Sequence, residues 1–143
     1  MTAFAGLLLP VVLLAAPAQG ILAATHEEIA NCIAVMQTQA EDLARLVKAG
    51  DQAQTPALRT ELERAAALVG RTYLDGERDQ AQAKAKLKEA QDAQATWSDE
   101  QKSSLHESCV KLADGYLASA NGTERFIVRR AAQARLQRML TDH

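Results

Sequence analysis

Residues 25–50 read THEEIANCIAVMQTQAEDLARLVKAG, and the fold turns on how this stretch is read. Thr25-His26-Glu27-Glu28 has the S/T-x-x-E spacing of a capping box, in which a hydroxyl and a carboxylate each accept a backbone N–H that a helix start leaves unpaired. Ile29, Ile33, Met36, Ala40, Leu43 and Val47 then follow in steps of 4-3-4-3-4. Such spacing keeps one apolar stripe on one face of a helix, which predicts a bundle seam. Cys32 lies next to Ile33 and one turn before Met36, so its sulfur can face inward. Gly50 is a good helix stop, and Asp51-Gln52-Ala53-Gln54 reads as a short loop.

Outward from that helix the same logic continues. Thr55-Pro56 restarts the chain, with Thr55 expected as N-cap and Pro56 at the first helical position. The expected stripe is Leu58, Leu62, Ala66, Val69 and Tyr73, with Leu68 and Leu74 alongside. Its register runs on through Gly76, Gln80, Ala83, Leu87, Ala90, Gln94 and Trp97, with small or polar occupants. Either one helix reaches about Ala95, or the chain kinks near Gly76; propensity favours helix there because Ala, Gln, Lys and Glu are good formers. Ser98-Asp99-Glu100-Gln101 is a second capping box, heading the stripe Leu105, Cys109, Leu112 and Tyr116, with Leu117 adjoining. Asn121-Gly122 is a stop, after which Thr123 is expected to cap a last helix ending near Leu140. The fold class is therefore all-α, an up-and-down helical bundle of four helices, or five if the chain breaks. No repeat or proline-rich linker divides residues 25–143, which form one domain.

Composition agrees. With 3% aromatic residues, 7 Gly and 3 Pro in 143 residues, the chain lacks the material of a β-sandwich or barrel. Its net charge of −2 argues against a nucleic-acid binder. From Thr25 onward 26 of 119 residues are large and apolar, a thin core that a crosslink or a dimer interface would support.

Residues 1–24 read as a signal peptide. The first charged side chain is Glu27, and Leu7–Ala16 is a ten-residue apolar run. Ala16-Pro17-Ala18 supplies the small-x-small pattern of a cleavage site, so cleavage is expected after Ala18 or Gly20, at latest near Ala24. A run broken by Pro10 and Pro17 is shorter than the roughly 18 residues of a membrane span. The n-region carries no Lys or Arg, which leaves an uncleaved N-terminal anchor in the inner membrane as the alternative. Export to the periplasm or outside the cell is the primary expectation. In that oxidising space an even cysteine count favours one disulfide, Cys32–Cys109, which would clamp the first helix to the later one.

Catalytic and metal patterns were sought and not found. There is no C-x-x-C-H, no HExxH and no nucleophile elbow, and no His has Glu three residues before it. The expectation is a non-enzyme with no metal. Met36 and His106 are residue types that ligate b-type haem. Their placement is similar, in architecture alone, to the periplasmic b-type bundle cytochromes, which use a Met of the first helix and a His of the last. Haem b held by Met36 and His106 is thus the alternative cofactor reading, set against core packing for Met36 and a hydrogen-bonded or solvated His106. Trp97-Ser98-Asp99-Glu100-Gln101 is similar to the L-T-x-x-Q motif of the periplasmic stress chaperones of the Spy group. Ser98 and Gln101 stand for the Thr and Gln, and Trp97 replaces the Leu. The likeness covers five residues, and a capping box alone produces it.

The sharpest charge feature is at the end. Arg125, Arg129, Arg130, Arg135 and Arg138 face one acid between Glu124 and Leu140, giving +4 there and −6 elsewhere. Phe126, Ile127, Val128, Leu136, Met139 and Leu140 accompany them without forming one face. Such a helix can dock on an acidic partner or an anionic lipid surface. The competing reading pairs its arginines with acids on neighbouring helices. The expected function is an exported contact protein, an inhibitor, adaptor or chaperone-like factor. Its partner would be another exported protein or an envelope surface; a homodimer is possible, and membrane contact through the basic helix is less favoured. Mass spectrometry of the exported protein should show an N-terminus between residues 19 and 25 and a mass two hydrogens below the dithiol form. Retention of residues 1–18 would favour the anchor.

Overall fold

The computed structural model describes residues 24–142; the rest of the expected signal peptide lies outside the described residues. They form five helices: α1 (His26–Lys48), α2 (Thr55–Leu74), α3 (Gln80–Gln94), α4 (Asp99–Ser119) and α5 (Gly122–Thr141). The bundle is all-α, as the heptad-like spacing requires.

Local chemistry sets the helix ends. Thr25 and Ser98 form the two expected capping boxes with Glu28 and Gln101. Two other ends, at α2 and α5, depart from expectation, and the break near Gly76 is one of the two alternatives read from the sequence. A 3-10 turn at Gln52–Gln54 runs straight into α2, so Gln54 has helical backbone and Thr55 lies inside the helix without capping it. The chain breaks after Leu74 because Gly76 takes φ +106°, and Asp79 then caps α3 by accepting the amides of Ala81 and Gln82. Asn121, not Thr123, caps α5: its side chain accepts the Glu124 amide while Glu124 accepts the Asn121 amide. Asn is a stronger N-cap than Thr, and a Glu three residues on completes the box.

α1 packs against all four other helices, and α2 against α1, α4 and α5. Two core clusters result. The first joins Ala40, Leu43, Ala44 and Val47 of α1 to Leu58 and Leu62 of α2 and to Ala132 and Leu136 of α5, with Met139 and Leu140 against it. The second joins Ile29, Cys32, Val35 and Met36 to Leu68, Cys109 and Ala113. α3 contributes to neither. It is held by Ala90, by buried Gln94 donating to the Asn31 carbonyl at 2.9 Å, and by Gln91 donating to Gln37 at 2.9 Å.

The α1 seam is buried as read, with Ile33 partly so. The α2 stripe is buried at Leu58 and Leu62 but departs from the reading beyond them. Val69 and Tyr73 are 53% and 56% exposed, and Leu74 is 59% exposed, while Leu68 is fully buried. α4 covers the Leu68 side of α2, so the seam follows Leu58, Glu61, Leu62, Ala65 and Leu68 instead.

Cys32 and Cys109 are bonded, with Cα atoms 5.3 Å apart and a sequence separation of 77. The bond lies inside the second cluster and ties α4 to α1 across the α2–α3 excursion. In the chain-entropy account, a loop of that length contributes about 4–5 kcal/mol by restricting the unfolded chain. Replacing both cysteines by Ser should lower the denaturant midpoint by an equivalent of about 4 kcal/mol while leaving a helical far-UV spectrum. A midpoint equal to that of the parent would show that packing alone holds α4.

Candidate functional site

Two places concentrate charged side chains in a definite geometry: the α2–α4 seam and the outer surface of α5. The first is inward. Glu61, on the buried side of α2, is 3% exposed. Its Oε1 lies 2.6 Å from Nε2 of His106 on α4, and its Oε2 lies 3.9 Å from Nη1 of Arg64. Arg64 in turn donates through Nε and Nη2 to both carboxylate oxygens of Asp114, at 2.9 and 3.2 Å. His106, Glu61, Arg64 and Asp114 thus alternate in charge type across two helices. Nearby, the Arg71 guanidinium lies 5.4 Å from the Tyr116 ring centre, adding a cation–π contact to the same seam.

A second inward node sits at the bundle end. Glu77 accepts from Lys86 of α3, and its Oε2 lies 3.4 Å from Nδ1 of His26 on α1. No buried side-chain polar atom lacks a partner among the described residues. These nodes fasten helices. Neither presents a nucleophile beside a base, and among the described residues no group of three or more His, Cys, Asp and Glu is placed to hold a metal ion.

The structure places both haem candidates in this frame. Met36 is fully enclosed in the second cluster, and Nε2 of His106 is engaged by Glu61. These are the packing and hydrogen-bonded roles that competed with the ligand reading.

The outward feature is α5. Ala132 and Leu136 fix it to α1 and α2, and the Lys48 ammonium donates to the Asp142 carbonyl at 2.7 Å near its end. All five arginines are exposed. Among the described residues none of them forms an ion pair, so the expected pairing with acids of neighbouring helices does not occur. Glu124, the one acid of the helix, is taken by the cap, Arg64 holds Asp114, and Glu63 shares a cleft with Arg125 and Arg129 without an ion pair to either. Arg125 donates to the Leu117 and Ala118 carbonyls at 3.2 and 3.1 Å, stitching α5 to the end of α4. The Arg130 guanidinium lies 5.7 Å from the Phe126 ring centre. Phe126 and Ile127 are 58% and 60% exposed.

Two open clefts complete the surface. One, of about 290 Å³, is lined by Glu63, Leu117, Ala118, Arg125, Val128 and Arg129 where α2, α4 and α5 meet. The other, of about 540 Å³, is lined by Trp97, Glu100, Gln101, Ser104, Leu105 and Ser108. Ser104 and Ser108 have no histidine beside them in that lining, since His106 is turned to Glu61.

Set beside known proteins, the chain matches no family model, no curated protein and no solved structure. Among the described residues no helix is long and apolar enough to cross a membrane.

Sequence reasoning found the arginines and the cysteines but missed Glu61, Arg64 and Asp114. A signal existed: His106 lies one turn before inward-facing Cys109, and a partner for it had to come from a facing helix. Removing one member of a buried pair leaves the other uncompensated. His106→Ala should therefore cost about 2–3 kcal/mol of unfolding free energy, and Glu61→Met combined with His106→Leu should cost less than His106→Ala alone. Additive losses in that double-variant cycle would show that the two side chains do not interact.

Proposed function

We propose that this is an exported, non-enzymatic contact protein, of the inhibitor, adaptor or chaperone-like kind, whose working surface is the outward side of α5. One observation carries the reading. Five guanidinium groups stand exposed on a single helix without an acid paired to any of them among the described residues. Apart from Arg125, which donates to carbonyls of α4, and Arg130, which lies over Phe126, an exposed cation of this helix gains little from the fold that holds it. It gains from a negatively charged partner, which the guanidinium meets through bidentate hydrogen bonds.

The rest of the molecule suits that role as a carrier. A disulfide-locked bundle keeps α5 in place at little entropic cost on binding, and a preorganised surface spends less of its interaction energy on ordering. The remainder of the chain carries −6, so the molecule is strongly dipolar and α5 leads in the field of an acidic surface. The crosslink and the apolar run before Thr25 support export, because disulfides persist in oxidising compartments.

The test compares the oxidised protein with its Arg129→Glu/Arg130→Glu variant as baits in the exported fraction, across a salt series. Partners retained by the parent should elute as ionic strength rises and be lost from the variant, given an unchanged helical spectrum. Equal recovery of the same partners by both baits would remove α5 from the account.

A further inference from the structure

We propose that the surface α5 engages is an anionic phospholipid bilayer, against which the helix lies parallel to the membrane plane. The inference rests on the reading of α5 as the working surface and names what covers it.

The argument begins with the helical wheel. Successive residues turn by about 100°, so the side occupied by Ala132 and Leu136 fixes the opposite half. Ile127, Arg130 and Arg138 fall in that outward half, with Phe126 and Arg135 at its margins, Arg129 on the cleft side towards α2 and α4, and Arg125 turned to the end of α4. The outward half therefore mixes two exposed apolar side chains with cations, and the Arg130 guanidinium rests over Phe126. On a headgroup layer, Phe126 and Ile127 would enter the acyl boundary while the guanidiniums beside them pair with phosphates just above it.

Geometry separates this partner from an acidic protein. α5 presents a convex, exposed cylinder, and its arginines diverge around it instead of lining one stripe. A folded acidic protein would need its carboxylates pre-placed to match that spread. Lipid phosphates move laterally, and arginine stems flex toward a common plane, so a bilayer meets divergent guanidiniums without such matching. The helix is too polar to cross the bilayer and is fastened by its inner side to the bundle, which leaves lying on the surface as its mode. Charge separation, +4 on this segment against −6 elsewhere, holds the other faces away from the same anions.

The test uses the oxidised protein with vesicles of phosphatidylglycerol and phosphatidylcholine, with pure phosphatidylcholine vesicles as the second arm, read by co-sedimentation. Binding should require the anionic lipid and fall with salt. Each arginine near an anionic surface is worth about a fivefold gain in partitioning, so Arg130→Glu/Arg138→Glu should weaken binding about twenty-fivefold or more. Phe126→Ser/Ile127→Ser, which leaves the charge intact, should weaken it about tenfold through lost apolar burial. Circular dichroism of each variant confirms that the bundle is intact. Failure of the parent to bind anionic vesicles, binding unchanged in either variant, or displacement by millimolar inorganic phosphate would each overturn the proposal. If anionic vesicles are ignored while the charge-dependent protein partners of the pull-down persist, the partner is an acidic protein. The contact reading then stands and the lipid inference falls. Loss of both results would sink the contact reading itself.

Discussion

One covalent bond closes a loop that the core by itself fills thinly. Cys32 and Cys109 meet inside the second apolar cluster, beside Ile29, Met36 and Leu68. Because the bond fixes α4 against α1, the face of α2 that α4 covers is decided as well. Leu68 goes in, and Val69 and Tyr73 stay out. α5 follows, since its cap at Asn121 comes two residues after α4 ends and Arg125 holds the carbonyls of that end. Each later choice is conditioned on the crosslink.

Polar chemistry does the remaining fastening. A bundle rich in alanine brings backbones close but buries little area per helix, so side-chain pairs decide which surfaces meet. Glu61 with His106, Arg64 with Asp114, and Glu77 with Lys86 each bridge two segments. Of these, the pair made by buried Glu61 adds little net stability compared with apolar groups of the same size, yet breaking it is costly; the other two are partly exposed. All three act here as registry devices, selecting one docking of α4 and one placement of α3. The inward charges are consumed in this way. Among the described residues the arginines of α5 form no ion pair, although Arg125 donates to carbonyls of α4 and Arg130 lies over Phe126.

Much of this was legible in residue order. The capping boxes at Thr25 and Ser98, the α1 seam and the inward cysteines depend on spacing within a helix or two, and local hydrogen bonding fixes them. The arginine-rich last helix was legible for the same reason. Three readings failed where a neighbour intervened. Thr55 lost its cap role to the 3-10 turn before it. Asn121 displaced Thr123 because Glu124 completed a box with it. The α2 seam rotated onto a stripe containing Glu61, which looks polar until His106 is seen opposite.

Residue order alone therefore determined that the chain is all-α and where most of its helices begin, which cysteines can pair, and that +4 of charge is gathered on the last segment, while leaving four or five helices open. Those properties follow from interactions between residues a few positions apart, or from simple counting. Which side of α2 is buried, which acid receives His106, and that none of the five arginines forms an ion pair among the described residues were decided only by the packed bundle. Each depends on groups tens of residues away in the chain, and only the assembled helices bring such groups to within a few ångströms or hold them apart.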